Sequence, residues 1–191
     1  MEKAEAYTLL LLAGGKSARM GTNKAELIYK GKSFLELMME KARQLGIEKI
    51  CISGYDKEYA GVLTVEDRYP NRGPLGGIHA CMQEIHTPYC LVLPVDAPLL
   101  PLEILEELLH AHATASDPQK VLLWVHGGRK EPLIAVYPTA MADVIEELIR
   151  QQPVPVFRAL DRWGYTCYTR ELPREQILNV NTPELYRQLL E

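Results

Sequence analysis

The sequence lacks the features that would place it outside the cell, in a membrane or on nucleic acid. Its four cysteines, Cys51, Cys81, Cys90 and Cys167, include no Cys-x-x-Cys pair. Each lies among apolar neighbours, which predicts buried thiols rather than metal ligands or disulfides. No apolar run approaches the roughly 18 residues of a membrane span. The run from Leu9 to Ala13 is too short for a signal-peptide core, and acidic residues precede it. There is no basic excess: 21 Lys and Arg stand against 25 Asp and Glu, a net charge of -4. That balance argues against a protein that coats nucleic acid, though not against one that binds a small anion with a few local cations. Internal repeats, low-complexity stretches and long linkers are also missing. These absences leave a cytoplasmic chain whose 191 residues suit a single domain spanning 1–191, with 47% hydrophobic residues to build a core.

What remains is an alternation of short apolar runs and amphipathic ones. The stretch from Tyr7 to Ala13 predicts a buried strand. A capping box, Ser33-x-x-Glu36, opens a helix that Gly46 closes. Further strands are expected at Lys49 to Ser53, Val62 to Val65 and Tyr89 to Val95, with a helix over Leu75 to Ile85 between the last two. Pro101 reads as the start of a helix whose apolar face carries Leu102, Leu105, Leu108, Leu109 and His112. Val121 to Val125 and Leu133 to Tyr137 read as strands around a Gly127-Gly128 turn. Met141, Val144, Ile145, Leu148 and Ile149 make the stripe of another helix. Thr182-Pro183-Glu184 opens a last one. Strand followed by helix, repeated, predicts a three-layer α/β sandwich with a mostly parallel, Rossmann-like sheet. Ligands of such sheets sit beyond the carboxyl ends of the strands. The places to look are therefore just after Ala13, Ser53, Val65 and Val95.

Four segments near those places carry chemistry. In the first, Gly14 and Gly15 follow a buried strand directly, and Lys16, Arg19 and Lys24 follow them. Glycines let backbone N–H groups come close to phosphate oxygens, and the cations add point charges, as a triphosphate requires. The alternative is a plain turn with a solvated basic loop. It is no P-loop, because the position five residues before Gly15 is Leu10, and no Gly-x-Gly-x-x-Gly fingerprint is present. The second is Asp96 at the end of the apolar strand. It is placed either to hold Mg²⁺, which takes one or two carboxylates plus phosphate oxygens and water, or to cap the turn before Pro101. In the third, Asp67 ends a strand and the cluster Gly73-Pro74-Leu75-Gly76-Gly77 opens a helix. Its free N–H groups would suit an anion or a base edge, or the turn is one of tight packing. His79 in that helix reads as a hydrogen-bonded structural histidine rather than a catalyst. In the fourth, Asn179 and Asn181 project to one side of an extended segment. Locally, capping of the next helix explains them at least as well as ligand binding.

In this order and spacing the segments resemble the MobA family of molybdenum cofactor guanylyltransferases, within the nucleotidyltransferase superfamily, over essentially the whole chain. The resemblance is carried by Leu12-Ala13-Gly14-Gly15-Lys16-Ser17-Ala18-Arg19-Met20-Gly21 with Lys24, by Gly73-Pro74-Leu75-Gly76-Gly77 and by Asp96-Ala97-Pro98-Leu99. Glu131-Pro132-Leu133 and Asn179-Val180-Asn181-Thr182-Pro183 complete it. It implies transfer of GMP from Mg²⁺–GTP to molybdopterin with release of pyrophosphate. The residues implied at the nucleotide are Leu12, Ala13, Gly14, Gly15, Lys24, Ser53, Asp67, Gly76 and Asp96. Arg19, Lys24 and Asp96 would be catalytic, Asp96 would hold the metal, and Asn179 and Asn181 would lie at the acceptor. Transient contact with other proteins of molybdenum cofactor biosynthesis is implied as well; nucleic acid and membrane are not. The chain departs from the family at Ser53-Gly54, where an asparagine is common, and at Gln151 to Phe157, where basic residues are common. Two other readings stay open: a related transferase that takes CTP or a sugar phosphate, and a non-catalytic nucleotide-binding adaptor of the same fold.

Overall fold

A computed structural model describes residues 4–14, 23–173 and 179–190. A seven-stranded sheet is built from β1 (Tyr7–Leu12), β4 (Ile50–Ser53), β5 (Leu63–Val65), β6 (Tyr89–Pro94), β7 (Val121–His126), β8 (Arg129–Pro138) and β9 (Tyr165–Thr169). A separate two-stranded ribbon pairs β2 (Ile28–Tyr29) with β3 (Lys32–Ser33). The strand order in the large sheet is β5-β4-β1-β6-β8-β7-β9. Contacts between neighbours are parallel except where β8 joins β6 and β7. The predicted, mostly parallel α/β sandwich is therefore the one observed.

Alternation along the strands divides the core into two layers. Leu9 and Leu11 of β1 face one cluster and Leu10 faces the other. On the first side lie α1 (Phe34–Gln44), α3 (Leu102–Ala113) and α6 (Pro183–Leu190); on the second lie α2 (Pro74–Glu84), α4 (Ala142–Ile149) and α5 (Val156–Trp163). The capping box forms as its spacing predicts. The Ser33 hydroxyl accepts from the Glu36 N–H at 3.2 Å, and the Glu36 carboxylate accepts from the Ser33 N–H at 2.7 Å. The Gly127-Gly128 turn joins β7 to β8 with positive φ at both residues, 55° and 72°, the backbone twist a two-residue hairpin needs.

Several expectations need correction. Pro101 caps α3 from outside instead of opening its first turn. In α3 Ile104 takes a buried place, while Leu102 and Leu109 are only half-buried. His112 is a core histidine with both nitrogens engaged, 2.8 Å from the Tyr7 hydroxyl and 3.1 Å from the Pro118 carbonyl. His79 is not the hydrogen-bonded histidine expected. It is wholly buried, neither ring nitrogen has a hydrogen-bond partner, and Glu146 stands 3.7 Å away, too far for a hydrogen bond. Burial holds its pKa below the usual histidine value, so the ring is neutral near pH 7. Three of the cysteines are buried, but Cys167 is exposed, because β9 is an edge strand with little cover. Among the described residues no helix is long and apolar enough to cross a membrane.

The cap gives a stability test that leaves the ligand edge of the sheet untouched. Ser33→Ala should cost about 1 kcal/mol, a fall in melting temperature of roughly 2–4 °C for a chain of this size. A thermal melt that matches the unaltered protein would mean the capping box contributes nothing.

Candidate active site

The parallel ladders bring four strand ends to one level. Leu12 lies opposite Ser53 on one side and Pro94 on the other, and Ser53 lies opposite Val65. The residues that leave the sheet at this edge surround a cavity of about 1170 Å³. That exceeds the ~300–1,000 Å³ of a pocket for one small ligand. Of the residues singled out in the sequence, Leu12, Ala13, Gly14, Lys24, Ser53 and Asp67 line it, as do Asp96, Asn179 and Asn181. Gly15, Lys16 and Arg19 lie outside the described residues. Gly76 is not on the wall; Gly77 is. A Cβ on Gly76 would stand 3.3 Å from an Asp67 carboxylate oxygen, so that glycine serves packing behind the site. A Cβ on Gly77 would stand 2.4 Å from the Ser53 hydroxyl.

The glycine after β1 acts differently from the sequence expectation. The Ala13 and Gly14 N–H groups both donate to the Ser53 carbonyl, at 3.0 and 3.1 Å. They are therefore not free to meet a phosphate. What Gly14 contributes is the absence of a side chain. A Cβ there would stand 3.0 Å from the Gly54 Cα, and one on Gly54 only 2.3 Å from the Gly14 Cα. Gly54 also has φ of +73°, which L side chains adopt at a cost. Two strand ends thus touch backbone to backbone. The Ser53 hydroxyl then donates to Asp67 at 2.8 Å, tying the end of β4 to the loop after β5.

At the other end of the cavity, Asp96 and Lys24 form an ion pair at 2.8 Å, with both side chains about four-fifths buried. Lys24 also donates to the side-chain oxygen of Asn181, 157 positions away in the chain. The segment that carries Asn181 is held by its backbone, since the Val180 N–H donates to the Asp96 carbonyl at 2.8 Å. Val180 itself is buried in the core, while Asn179 and Asn181 on either side of it face the cavity. Thr182 caps α6, accepting from the Leu185 N–H at 3.3 Å. Asn181 is therefore released from the capping role that competed for it. Asn179 is buried with no hydrogen-bond partner for its side-chain oxygen among the described residues; such a group calls for a donor from elsewhere.

The cavity also takes in residues to which sequence reasoning gave no role. Asn71, Gly73 and Pro74 line it before α2, and residues 131–134 of β8 line its far wall. Glu131 had been noticed only as part of a motif. Its carboxyl is pushed up by burial, against the opposing effect of Arg129 and His126. Among the described residues no group of three or more His, Cys, Asp or Glu side chains is placed to hold a metal. One carboxylate beside an open cavity is still a donor set that suits Mg²⁺, which keeps waters and takes substrate phosphates as ligands.

A family model described as the MobA-like NTP transferase domain matches residues 9–164. The chain belongs to this family. The match spans the four aligned strand ends and Glu131 but stops short of Asn179 and Asn181. The molybdenum cofactor guanylyltransferase of Pseudomonas paraeruginosa is 33% identical over 93% of this chain and 91% of its own. Molybdopterin-guanine dinucleotide biosynthesis protein A from Archaeoglobus fulgidus shares the fold, with a TM-score of 0.74 at 24% identity over 95% of this chain and 96% of that one. Rv0371C from Mycobacterium tuberculosis, solved in complex with manganese, gives a TM-score of 0.68 at 18% identity over 97% and 98% of the two chains.

Close backbone contact between strand ends predicts a difference between two glycines with the same sign of φ. Gly54→Ala should lose clearly more stability than Gly127→Ala. Position 127 has nothing within 4 Å of a new Cβ, whereas position 54 meets the backbone of Gly14. Equal denaturant midpoints for the two variants would show that φ alone matters at Gly54.

Proposed function

We propose that this chain transfers GMP from Mg²⁺–GTP to molybdopterin, forming the guanine dinucleotide cofactor and releasing pyrophosphate. One observation carries the reading. Lys24, Asp96 and Asn181 meet at one cavity edge in a chain 33% identical to a molybdenum cofactor guanylyltransferase. In this reading the work is done in the cytoplasm, with other proteins of molybdenum cofactor biosynthesis as transient partners.

The reaction follows from the charges. The acceptor is a phosphate monoester whose second pKa is near 6, so it is largely dianionic at pH 7. One of its oxygens bonds to the α-phosphorus of GTP as the bond from that phosphorus to the α,β-bridging oxygen breaks, and pyrophosphate leaves with the electron pair. No proton has to be taken from the attacking oxygen, so no general base is needed. The barrier is the approach of anion to anion and the charge that gathers on pyrophosphate. Lys24 is the described cation at that place. Its ammonium has three donors, enough to keep Asp96 and Asn181 while reaching a phosphate oxygen. Asp96 is the residue that would hold Mg²⁺, and a bound Mg²⁺ supplies Lewis-acid stabilisation of phosphoryl charge. Gly15 and Arg19, outside the described residues, are assigned the remaining phosphate contacts. Leu12, Ala13, Gly14, Ser53 and Asp67 are assigned to the nucleoside side, and Asn179 and Asn181 to the acceptor.

The protein, Mg²⁺, labelled GTP and molybdopterin should together yield the labelled dinucleotide cofactor and pyrophosphate, and CTP should not replace GTP. Asp96→Asn should fold normally and lose turnover on the order of a hundredfold, the scale for removing one group that stabilises transition-state charge. Absence of the dinucleotide product with the unaltered protein, or full activity of Asp96→Asn at limiting Mg²⁺, overturns the assignment.

Neighbouring residues at the start of α6 give a second check. Thr182→Ala should lower stability by about 1 kcal/mol with normal transfer at low temperature. Asn181→Ala should keep the melting temperature and raise the acceptor KM or lower turnover. The reverse pattern would make Asn181 the cap and remove it from the site.

A further inference from the structure

The cavity is wider than a nucleotide needs, and the sheet itself explains how. Strands β6 and β8 pair only as far as Val92 and Ala135. Beyond that point β6 runs on through Leu93 and Pro94, paired to β1 alone. On its other side β8 jumps register. Leu123 lies opposite Ala135, but the next residue, Trp124, lies opposite Glu131. Residues 132–134 therefore pair with neither neighbouring strand, and all three line the cavity. Pro132 has no N–H to give to a ladder, which accounts for the break, and bulges of this kind recur beside functional sites. The wholly buried Tyr137 fixes the bulge by donating its hydroxyl to the freed Pro132 carbonyl at 2.7 Å. Two strands that would otherwise close the sheet are held apart, and the gap is the far half of the cavity.

Glu131 stands at the mouth of this fork. It is half-buried, and what acts on its carboxyl is burial and two charges at a distance, with no hydrogen bond from any described residue. A carboxylate left in this way, on the wall of a cavity, is an acceptor waiting for donors. It is not part of a metal cluster, since no such group of carboxylates exists among the described residues. The order of strands decides which substrate it faces. Along the edge of the sheet come Asp67 after β5, Ser53 after β4, Gly14 after β1, Asp96 after β6, and then Glu131 on β8. Because β8 is antiparallel to β6, its first half reaches the same edge as the carboxyl ends of the parallel strands. The ion pair of Asp96 and Lys24 thus lies between the loop that follows β1 and Glu131. If phosphoryl chemistry occurs at that ion pair, the nucleoside occupies the β5-β4-β1 side and the acceptor occupies the fork.

From this arrangement we infer that Glu131 recognises the heterocycle of the acceptor. It pairs with a ring N–H and an adjacent exocyclic amine, the donor edge of a 2-amino-4-oxo-pterin. Two parallel N–H donors match the two oxygens of a carboxylate, and a charge-assisted bidentate pair of this kind fixes orientation as well as affinity. The apolar bulge 132–134 gives the flat ring a surface beside that edge. Glu131 is then a specificity residue for the acceptor, in addition to Asn179 and Asn181, and this assignment rests on the GMP transfer to molybdopterin proposed above. Guanine carries the same donor edge, so the two heterocycles must be told apart by experiment.

The variant is Glu131→Gln, which keeps the size but offers an NH₂ where the ring amine needs an acceptor. GTP affinity by titration calorimetry, melting temperature, and the acceptor KM and kcat with molybdopterin are measured on the same preparations. Glu131→Gln should raise the acceptor KM at least tenfold while the GTP Kd and melting temperature stay within twofold and 1 °C of the unaltered protein. An unchanged acceptor KM overturns the assignment. A GTP Kd that weakens as much as the acceptor KM rises also overturns it, since Glu131 would then read guanine. If the unaltered protein binds GTP but makes no dinucleotide with molybdopterin, the proposed function fails first and takes this inference with it.

Discussion

The ladder that sets Leu12 opposite both Ser53 and Pro94 determines where the chain may leave the sheet, and everything at the site follows from those exits. Parallel strands share one direction, so their carboxyl ends collect on a single edge. Gly14, Gly54, Asp67 and Asp96 are each one to two residues past such an end. The closeness of two of these exits then becomes a constraint of its own. The Ser53 carbonyl accepts from both Ala13 and Gly14, which draws the two chains together until only glycine fits at positions 14 and 54. The same strand end sends the Ser53 hydroxyl to Asp67 and presses against Gly77 of α2. One side of the cavity is thus a rigid wall of interlocked backbone.

The other side is assembled from parts far apart in sequence. Lys24 reaches both Asp96 and Asn181, joining the start of the chain, its middle and its end. Exposed ion pairs contribute little stability, and one beside an open cavity is better understood as a fixed arrangement of charge. It keeps a cation and a carboxylate at contact distance without neutralising either. The backbone bond from Val180 to Asp96 and the burial of Val180 hold the returning segment in place, so Asn181 is positioned by its neighbours. Beyond Asp96 the sheet opens instead of continuing, because Pro132 interrupts the pairing of β8.

Much of the fold was legible because its signals are local. The Ser33–Glu36 box, the two-glycine turn and the apolar runs of β1 and β6 each act over a few residues, and each formed where it was expected. The elements with weak local signals went unread. In α5 only Ala159 and Leu160 are buried, and prolines precede it, so its short stripe is easily missed. β9 is an exposed edge with no apolar alternation strong enough to mark it. Its exposure also explains why Cys167 is not the buried thiol it resembled. His79 was misjudged for a related reason: whether a buried ring finds a partner depends on how α2 meets α4.

The sequence by itself determined the class of fold, the four places where strands end, and the residue types that wait there, since strand period, caps and turns are encoded by near neighbours. Only the tertiary structure decided which of those residues meet. That Gly14 gives up its N–H to Ser53, that Thr182 and not Asn181 caps α6, and that Gly77 and not Gly76 faces the cavity are outcomes of distances across the sheet. The fork between β6 and β8, with Glu131 at its mouth, belongs with them. Register between strands is set by the packing of whole layers, and no local pattern of residues carries it.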